Sequence, residues 1–294
     1  PILIRLYKLD LTTLLVQELT TLQGSVGKIY IQESDNIGSI TDDGEKSQIA
    51  EAVEQSYLPQ SDEDSLPGSE LGRLISLLDR WDTWIGIHCI GLNLSSSSDP
   101  FGIRRTVNGL LRILEERPGD IPLLELVYVG MEAYRQINGI DFDETTVLTE
   151  WKAYYTQRMQ SLLSGYRYDL VQAVLNYTGS RLVRSPNDFK QRVEAMRKKI
   201  SDPDFQTLCQ SFVRIQKIVN TSFQPGSINR DKFELTAEKD LWKTGQYVEN
   251  EIKQLSPVQY HPGNNFEPEK ILDDLIQLNQ PIQQFFDEVM VMVE

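Results

Sequence analysis

The sequence predicts an all-α protein, and three observations carry that reading. Apolar residues recur at three- and four-residue steps through most of the chain, the spacing of one face of an α-helix. The segments so marked open on Ser, Asp or Pro and close on Gly or a polar loop, which is the chemistry of helix termini. Runs that alternate apolar and polar residues, as a half-buried strand requires, are short.

The helices follow in order. "SELGRLISLLDRWDTWIGI" sets Leu71, Leu74, Ile75, Leu78 and Trp81, with Ile85 beyond, on one wide apolar face, with Ser69 as N-cap. In "SSSSDPFGIRRTVNGLLRILEE" Asp99 is the expected N-cap and Pro100 the first helical residue. Its buried face is Ile103, Val107, Leu110, Leu111 and Leu114, while Arg104, Asn108 and Arg112 form a stripe on another side. "TEWKAYYTQRMQSLLSGY" is expected to start at Thr149 and stop near Gly165. "SPNDFKQRVEAMRKKI" has Ser185 as cap and Pro186 next, with Phe189, Val193, Met196 and Ile200 facing inward. "DFQTLCQSFVRIQKIVN" and "PEKILDDLIQLNQPIQQFFDEVMVMV" continue the pattern, and Pro281 should kink the last segment or divide it. Polar loops are expected at 33–47, 58–69 and 260–268; the first two are acidic and read as solvated connectors.

The chain of 294 residues suits two ordinary domains, and 40% hydrophobic residues supply real cores. Its formal charge is −14, unevenly spread. Residues 1–145 hold 11 basic and 24 acidic side chains, residues 146–294 hold 18 and 19, and residues 151–199 hold 10 and 3. The shift places a boundary near "GIDFDETTVLTE", dividing the chain into 1–145 and 146–294, and allows a basic surface inside an acidic protein. No apolar run approaches the length of a membrane span. "PILIRLYKLD" lacks Met and a cleavage site, and "EVMVMVE" stops mid-pattern, so both ends are expected to be truncations.

Chemistry-bearing motifs are scarce. The two cysteines, Cys89 and Cys209, are far apart and fit a reducing cytoplasm. His88 stands in the apolar run "WIGIHCIGL" and reads as a buried, hydrogen-bonded histidine rather than a metal ligand. Glycine-rich nucleotide loops, His-Glu-x-x-His and Gly-x-Ser-x-Gly do not occur. Asp79 and Asp82 lie one helical turn apart; a metal pair is conceivable, but a polar edge with Asp79 paired to Arg80 or another cation is the simpler reading.

Two basic stretches are candidates for a polyanion. The first holds Arg104, Arg105 and Arg112, and spacing alone leaves phosphate contact and internal ion pairing both open. The second, 151–199, interleaves Arg158, Arg167, Arg181 and Arg184 with Tyr154, Tyr155, Tyr166, Tyr168 and Tyr177, the mixture that unpaired RNA requires. Its bland alternative is a solvated basic helix pair with tyrosines in the core.

"LLDRWDTWIGIHCIGLNLSSSSDPFGIRRTVNGLLRIL" resembles a segment of the bacterial-type glycyl-tRNA synthetase beta subunit through Asp79, Asp82, Thr83, Gly86, Gly91, Asp99, Pro100, Phe101, Arg104, Arg105, Gly109 and Arg112. "ELTTLQGSVGKIY" and "PIQQFFDEVMVMV" are similar to further family segments, so the resemblance runs in order along nearly the whole chain. It implies the C-terminal portion of that subunit: a helical HD-like domain over 1–145 with a degenerate metal site, then a helical-bundle anticodon-binding domain over 146–294. It implies a non-catalytic, tRNA-binding part of a cytoplasmic glycine–tRNA ligase. The partners would be tRNA-Gly and an alpha subunit, two of each subunit, with no DNA and no membrane. ATP and magnesium would be used by the alpha subunit and no cofactor by this chain. Arg158, Arg167, Arg181 and Arg184 would meet the anticodon arm, and Arg104, Arg105 and Arg112 would make a second contact. Three departures stand out: Ser96-Ser97-Ser98 precede Asp99 with no Lys, Asp42-Asp43-Gly44-Glu45 replaces a His-led motif, and no His-Asp dipeptide occurs. The last makes an HD-type phosphohydrolase the lesser alternative, beside a helical scaffold that binds only the partner subunit.

Overall fold

The computed structural model describes residues 2–35, 37, 42–92, 99, 101–117, 121–176, 185–219, 228–255 and 267–290. The regular elements among them are helices, as the spacing predicts. The chain forms two compact units: Pro1–Pro118 with Pro122–Gly165 and Val183–Asn187, and Gly119–Ile121 with Tyr166–Leu182 and Asp188–Glu294.

The first unit contains α1 (Ile2–Leu6), α2 (Leu14–Glu18), α3 (Ser25–Glu33), α4 (Asp43–Gln55), α5 (Glu70–Cys89), α6 (Ile103–Glu115), α7 (Leu123–Arg135) and α8 (Glu144–Leu162). The longest of them, α5, is the hub, packing against α4, α6, α7 and α8. Ser69 caps it as expected, its hydroxyl accepting the Gly72 amide. The expected apolar face is only partly the buried one. Ile75, Trp84 and Ile85 are buried, but Leu71, Leu74 and Leu78 are 38%, 48% and 48% exposed. In their place α5 buries Gly72, Ser76 and Arg80, one helical turn apart. These meet the end of α4 and its following loop, where carbonyls need donors. Ser76 Oγ donates to Leu58 O at 2.7 Å, and Arg80 Nη2 donates to Tyr57 O at 3.1 Å and Pro59 O at 2.7 Å. Unpaired carbonyls outweighed leucines for this face.

Further along α5, Gly86 makes room for Tyr134 of α7. A Cβ on Gly86 would lie 2.2 Å from the Tyr134 hydroxyl oxygen, which donates to Asp82 O at 3.2 Å. The first unit continues to Gly165, past the expected boundary at 145/146. Packing explains this. Trp151, Tyr155 and Met159 of α8 are buried; Trp151 lies 5.0 Å from Trp84, and Tyr155 stacks on Trp151 at 5.4 Å with the rings 5° apart. A shift in charge reports on surface, whereas α8 joins the first unit through an uncharged face. This helix also starts earlier than Thr149, because Asp143 accepts the Thr146 amide at 2.8 Å and caps it.

The second unit contains α9 (Tyr168–Leu175), α10 (Pro186–Lys199, from Asp188 on), α11 (Pro203–Ile218), α12 (Thr236–Leu255), α13 (Pro268–Ile276) and α14 (Asn279–Glu288). Helices α11 and α12 each pack on α13 and α14. Phe189 and Val193 of α10 are buried as expected, with Met196 and Ile200 half-buried. Pro281 divides the last segment: α13 ends at Ile276 and Pro281 falls in the first turn of α14, where its missing amide costs nothing.

Candidate functional site

The first basic stretch lies on α6. Its buried face is the expected one, with Ile103, Val107, Leu110, Leu111 and Leu114 all at most 4% exposed. Its start differs from expectation. The helix begins at Ile103 after Gly102, which adopts a left-handed φ of 66°. Pro100 lies outside the described residues, so its expected place as first helical residue falls there too. Asp99 still caps the helix, from further upstream: its carboxylate accepts the Ile103 amide at 2.7 Å and the Arg104 amide at 3.1 Å. The negative end of a side chain thus already occupies this helix start.

The three arginines of α6 have different surroundings. Arg112 is turned to the chain itself, with Nη1 donating to Ser61 O and Nη2 to Asp64 O, both at 2.9 Å. The loop it grips closes on itself, since the Asp64 carboxylate accepts the Gln60 amide, the Ser61 amide and the Ser61 hydroxyl. Those bonds, the Ser61 hydroxyl foremost, hold the Asp64 carboxyl below its usual range. Arg105 is exposed, and Arg104 is half-buried and engaged.

Arg158 packs on Tyr154, and the charge of Arg104 also reaches that phenol. On α8 the Arg158 guanidinium lies over the Tyr154 ring, 5.4 Å from its centroid, and its buried Nε has no hydrogen-bond partner. Burial pushes the Tyr154 phenol up; Arg158 and Arg104 pull it down, and Asp99 pushes it up. The charges of α6 and α8 therefore act on the same hydroxyl. Sequence reasoning assigned Arg104 and Arg158 to separate domains and separate contacts, while the first compact unit holds both. The available signal was the Tyr154–Arg158 spacing, i to i+4 on one helix.

The remaining cations of 151–199 are mostly engaged by carboxylates. Arg167 grips Asp169 through Nε at 2.8 Å and Nη2 at 2.5 Å, drawing that carboxyl down to about 2. Arg192 binds Asp188, Arg197 binds Glu194, Lys198 binds Glu269 at 2.6 Å and Lys199 binds Asp273. The exposed pairs among them are weak, yet a phosphate would have to displace the carboxylate to take the cation. Arg181, Arg184 and Tyr177 lie outside the described residues. Among the tyrosines, Tyr155 is core, Tyr166 donates to Glu194 at 2.6 Å, and Tyr168 is 75% exposed.

The other candidates have structural surroundings. Asp79 pairs with Lys8, not with Arg80, which is buried and turned to carbonyls. Lys8 reaches it from a left-handed φ of 67°. His88 is buried, but neither ring nitrogen has a hydrogen bond, contrary to expectation; the Tyr154 ring lies edge-on to it with centroids 6.2 Å apart. Burial alone pulls its pKa down to about 4. The Cys89 thiol is pushed up to about 11 by burial, which makes it a poor nucleophile. Among the described residues no group of three or more His, Cys, Asp or Glu is disposed to hold a metal ion, and no helix is long and apolar enough to cross a membrane.

A family model described as glycyl-tRNA synthetase beta subunit matches residues 3–176. Among similar proteins, the glycine–tRNA ligase beta subunit of Halothermothrix orenii is 30% identical over 294 residues, covering 98% of this chain and 39% of that protein. The Acinetobacter baylyi protein of the same name is 32% identical over 292 residues, with 98% and 39% covered. That of a Sulfurihydrogenibium species is 29% identical over 293 residues, with 99% and 38% covered. The chain thus spans about two fifths of the length of the relatives it matches.

Proposed function

The chain belongs to the glycyl-tRNA synthetase beta-subunit family, and from that premise we propose that it is a non-catalytic, tRNA-binding part of a cytoplasmic glycine–tRNA ligase. Its task is to hold tRNA-Gly so that the acceptor end reaches an alpha subunit, where ATP and magnesium serve the ligation. On this reading the first unit is the degenerate HD-like domain and the second the anticodon-binding domain.

The observation that carries the reading lies on the first unit: the Arg158 guanidinium of α8 lies over the Tyr154 ring, and the charge of Arg104 of α6 also lowers the pKa of that phenol. Forked cations suit the phosphates of a nucleic-acid backbone. Such contacts fix register, and base contacts elsewhere supply identity. In a chain of charge −14 the field near this surface decides encounter, because charges beyond about 8 Å are screened at physiological salt. Arg167 would join only after releasing Asp169.

Footprinting of tRNA-Gly with the chain and with its Arg104→Ala and Arg158→Ala variants tests this. Because the charges of both arginines reach Tyr154, both variants should lose protection of the same nucleotides. Anticodon-arm protection lost only with Arg158→Ala would separate them and leave α6 a structural helix. No tRNA binding even at low salt would favour the scaffold reading.

A further inference from the structure

We propose that Phe101 is a stacking platform for an unpaired RNA base, with Arg105 holding the adjoining phosphate. This rests on the RNA-binding reading above and names the chemistry that the start of α6 recognises.

Phe101 is 64% exposed, although it stands beside a well-packed helix. The Gly102 amide donates to Asp99 O at 3.2 Å, closing a turn, and the Asp99 carboxylate fixes the next two amides. The ring is therefore presented to water from an anchored backbone, and the ordering cost of binding is already met. Arg105 lies beside the same turn. A Cβ on Gly102 would stand 3.1 Å from its Nη2, so the guanidinium folds back over the bare glycine. Any larger residue there would displace the arginine, and φ of 66° disfavours one in any case. Unlike Arg112 and Arg167, Arg105 makes no ion pair or side-chain hydrogen bond among the described residues.

An exposed aromatic ring on one side of Gly102, and an arginine whose guanidinium folds back over that glycine, ask for a ligand with a flat apolar face and a nearby anion. One nucleotide supplies both. Base–aromatic stacking is tolerant of sequence, so Phe101 grips a splayed base without reading it. An acidic protein segment would answer the arginine but offers no planar face of that size except through its own aromatics.

The experiment is a tRNA-Gly titration over a salt series with the wild-type chain and the Phe101→Ala, Phe101→Tyr and Arg105→Ala variants, with far-UV circular dichroism as a folding check. Phe101→Ala should weaken binding about ten-fold without changing the salt slope, and Phe101→Tyr should stay within roughly two-fold of wild type. Arg105→Ala should flatten the slope by about 0.7, the share of one phosphate contact on single-stranded nucleic acid. Wild-type binding with an unchanged affinity in Phe101→Ala overturns the stacking role and leaves the RNA-binding reading standing. So does loss of a partner subunit by Phe101→Ala with tRNA affinity intact, which would make the ring a protein contact. Absence of wild-type binding at low salt overturns both.

Discussion

Arg112 holds the loop after α4 by two carbonyls, Ser61 O and Asp64 O, with one guanidinium nitrogen on each at 2.9 Å. A fork satisfied in this way acts as a strut. Arg112→Ala should destabilise the first unit by about 1–2 kcal/mol, the net worth of two hydrogen bonds from a charged donor to a partly exposed loop. The same variant should leave the salt slope of tRNA binding unchanged. Urea unfolding and a salt titration on one preparation measure both; a flattened slope would place Arg112 on phosphate.

Arg80 does the same work in the interior. It is 7% exposed and supplies the donor for Tyr57 O and Pro59 O. Arg80→Met removes both bonds and leaves two carbonyls unpaired, a loss of about 2–4 kcal/mol. Arg80→Lys should restore part of the loss, because both bonds leave one nitrogen, Nη2, and an ammonium also donates more than one bond. Equal stability of the Met variant and wild type would show that water replaces the guanidinium at no cost.

Gly86 and Tyr134 exclude any side chain between them. A methyl on Gly86 would overlap the Tyr134 hydroxyl and the ring carbon that bears it, at 2.2 and 2.6 Å. Gly86→Ala should cost about 1–3 kcal/mol through overpacking. Gly86→Ala combined with Tyr134→Leu should recover part of that loss, because the ring is what must move. A double variant less stable than either single change would locate the strain in the α5 backbone instead.

Acid should act through His88. Its pKa is pulled down by burial to about 4 from the ordinary 6.5, and Glu150, 3.9 Å from Nδ1, is too far to offset this by a hydrogen bond. The unfolded chain therefore binds a proton between pH 6.5 and 4 that the folded chain refuses. Stability falls as pH falls through that window, by about 3 kcal/mol in all. His88→Phe should flatten that part of the pH dependence; urea midpoints at pH 7 and pH 5 for the two proteins measure it. Parallel losses in both would assign the acid sensitivity to carboxylates.

Much of this fold was legible from spacing and caps. Ser69, Asp99 and Pro281 act in helix termini much as their chemistry requires. The α6 core face was readable because five apolar residues at helical spacing leave one solution. The α5 face was not, because periodicity ranks Leu above Arg and cannot see that the end of α4 presents carbonyls needing donors. The edge of the first compact unit lies beyond 145/146 for a related reason: the tryptophan cluster that ties α8 to α5 is made of residues 67 positions apart, Trp84 and Trp151. That Arg104 and Arg158 fall in one compact unit follows from that same tertiary contact. Ion pairs such as Lys198–Glu269 likewise join segments that no local window contains.

The proposed RNA contact through Arg104 and Arg158 of the first unit is measured most directly by the tRNA-Gly affinity of Arg104→Ala/Arg158→Ala across a salt series, beside wild type and each single variant. Loss of two phosphate contacts should flatten the slope by about 1.4 and weaken low-salt binding by at least about ten-fold. A double variant that binds with wild-type affinity and wild-type slope would contradict the account.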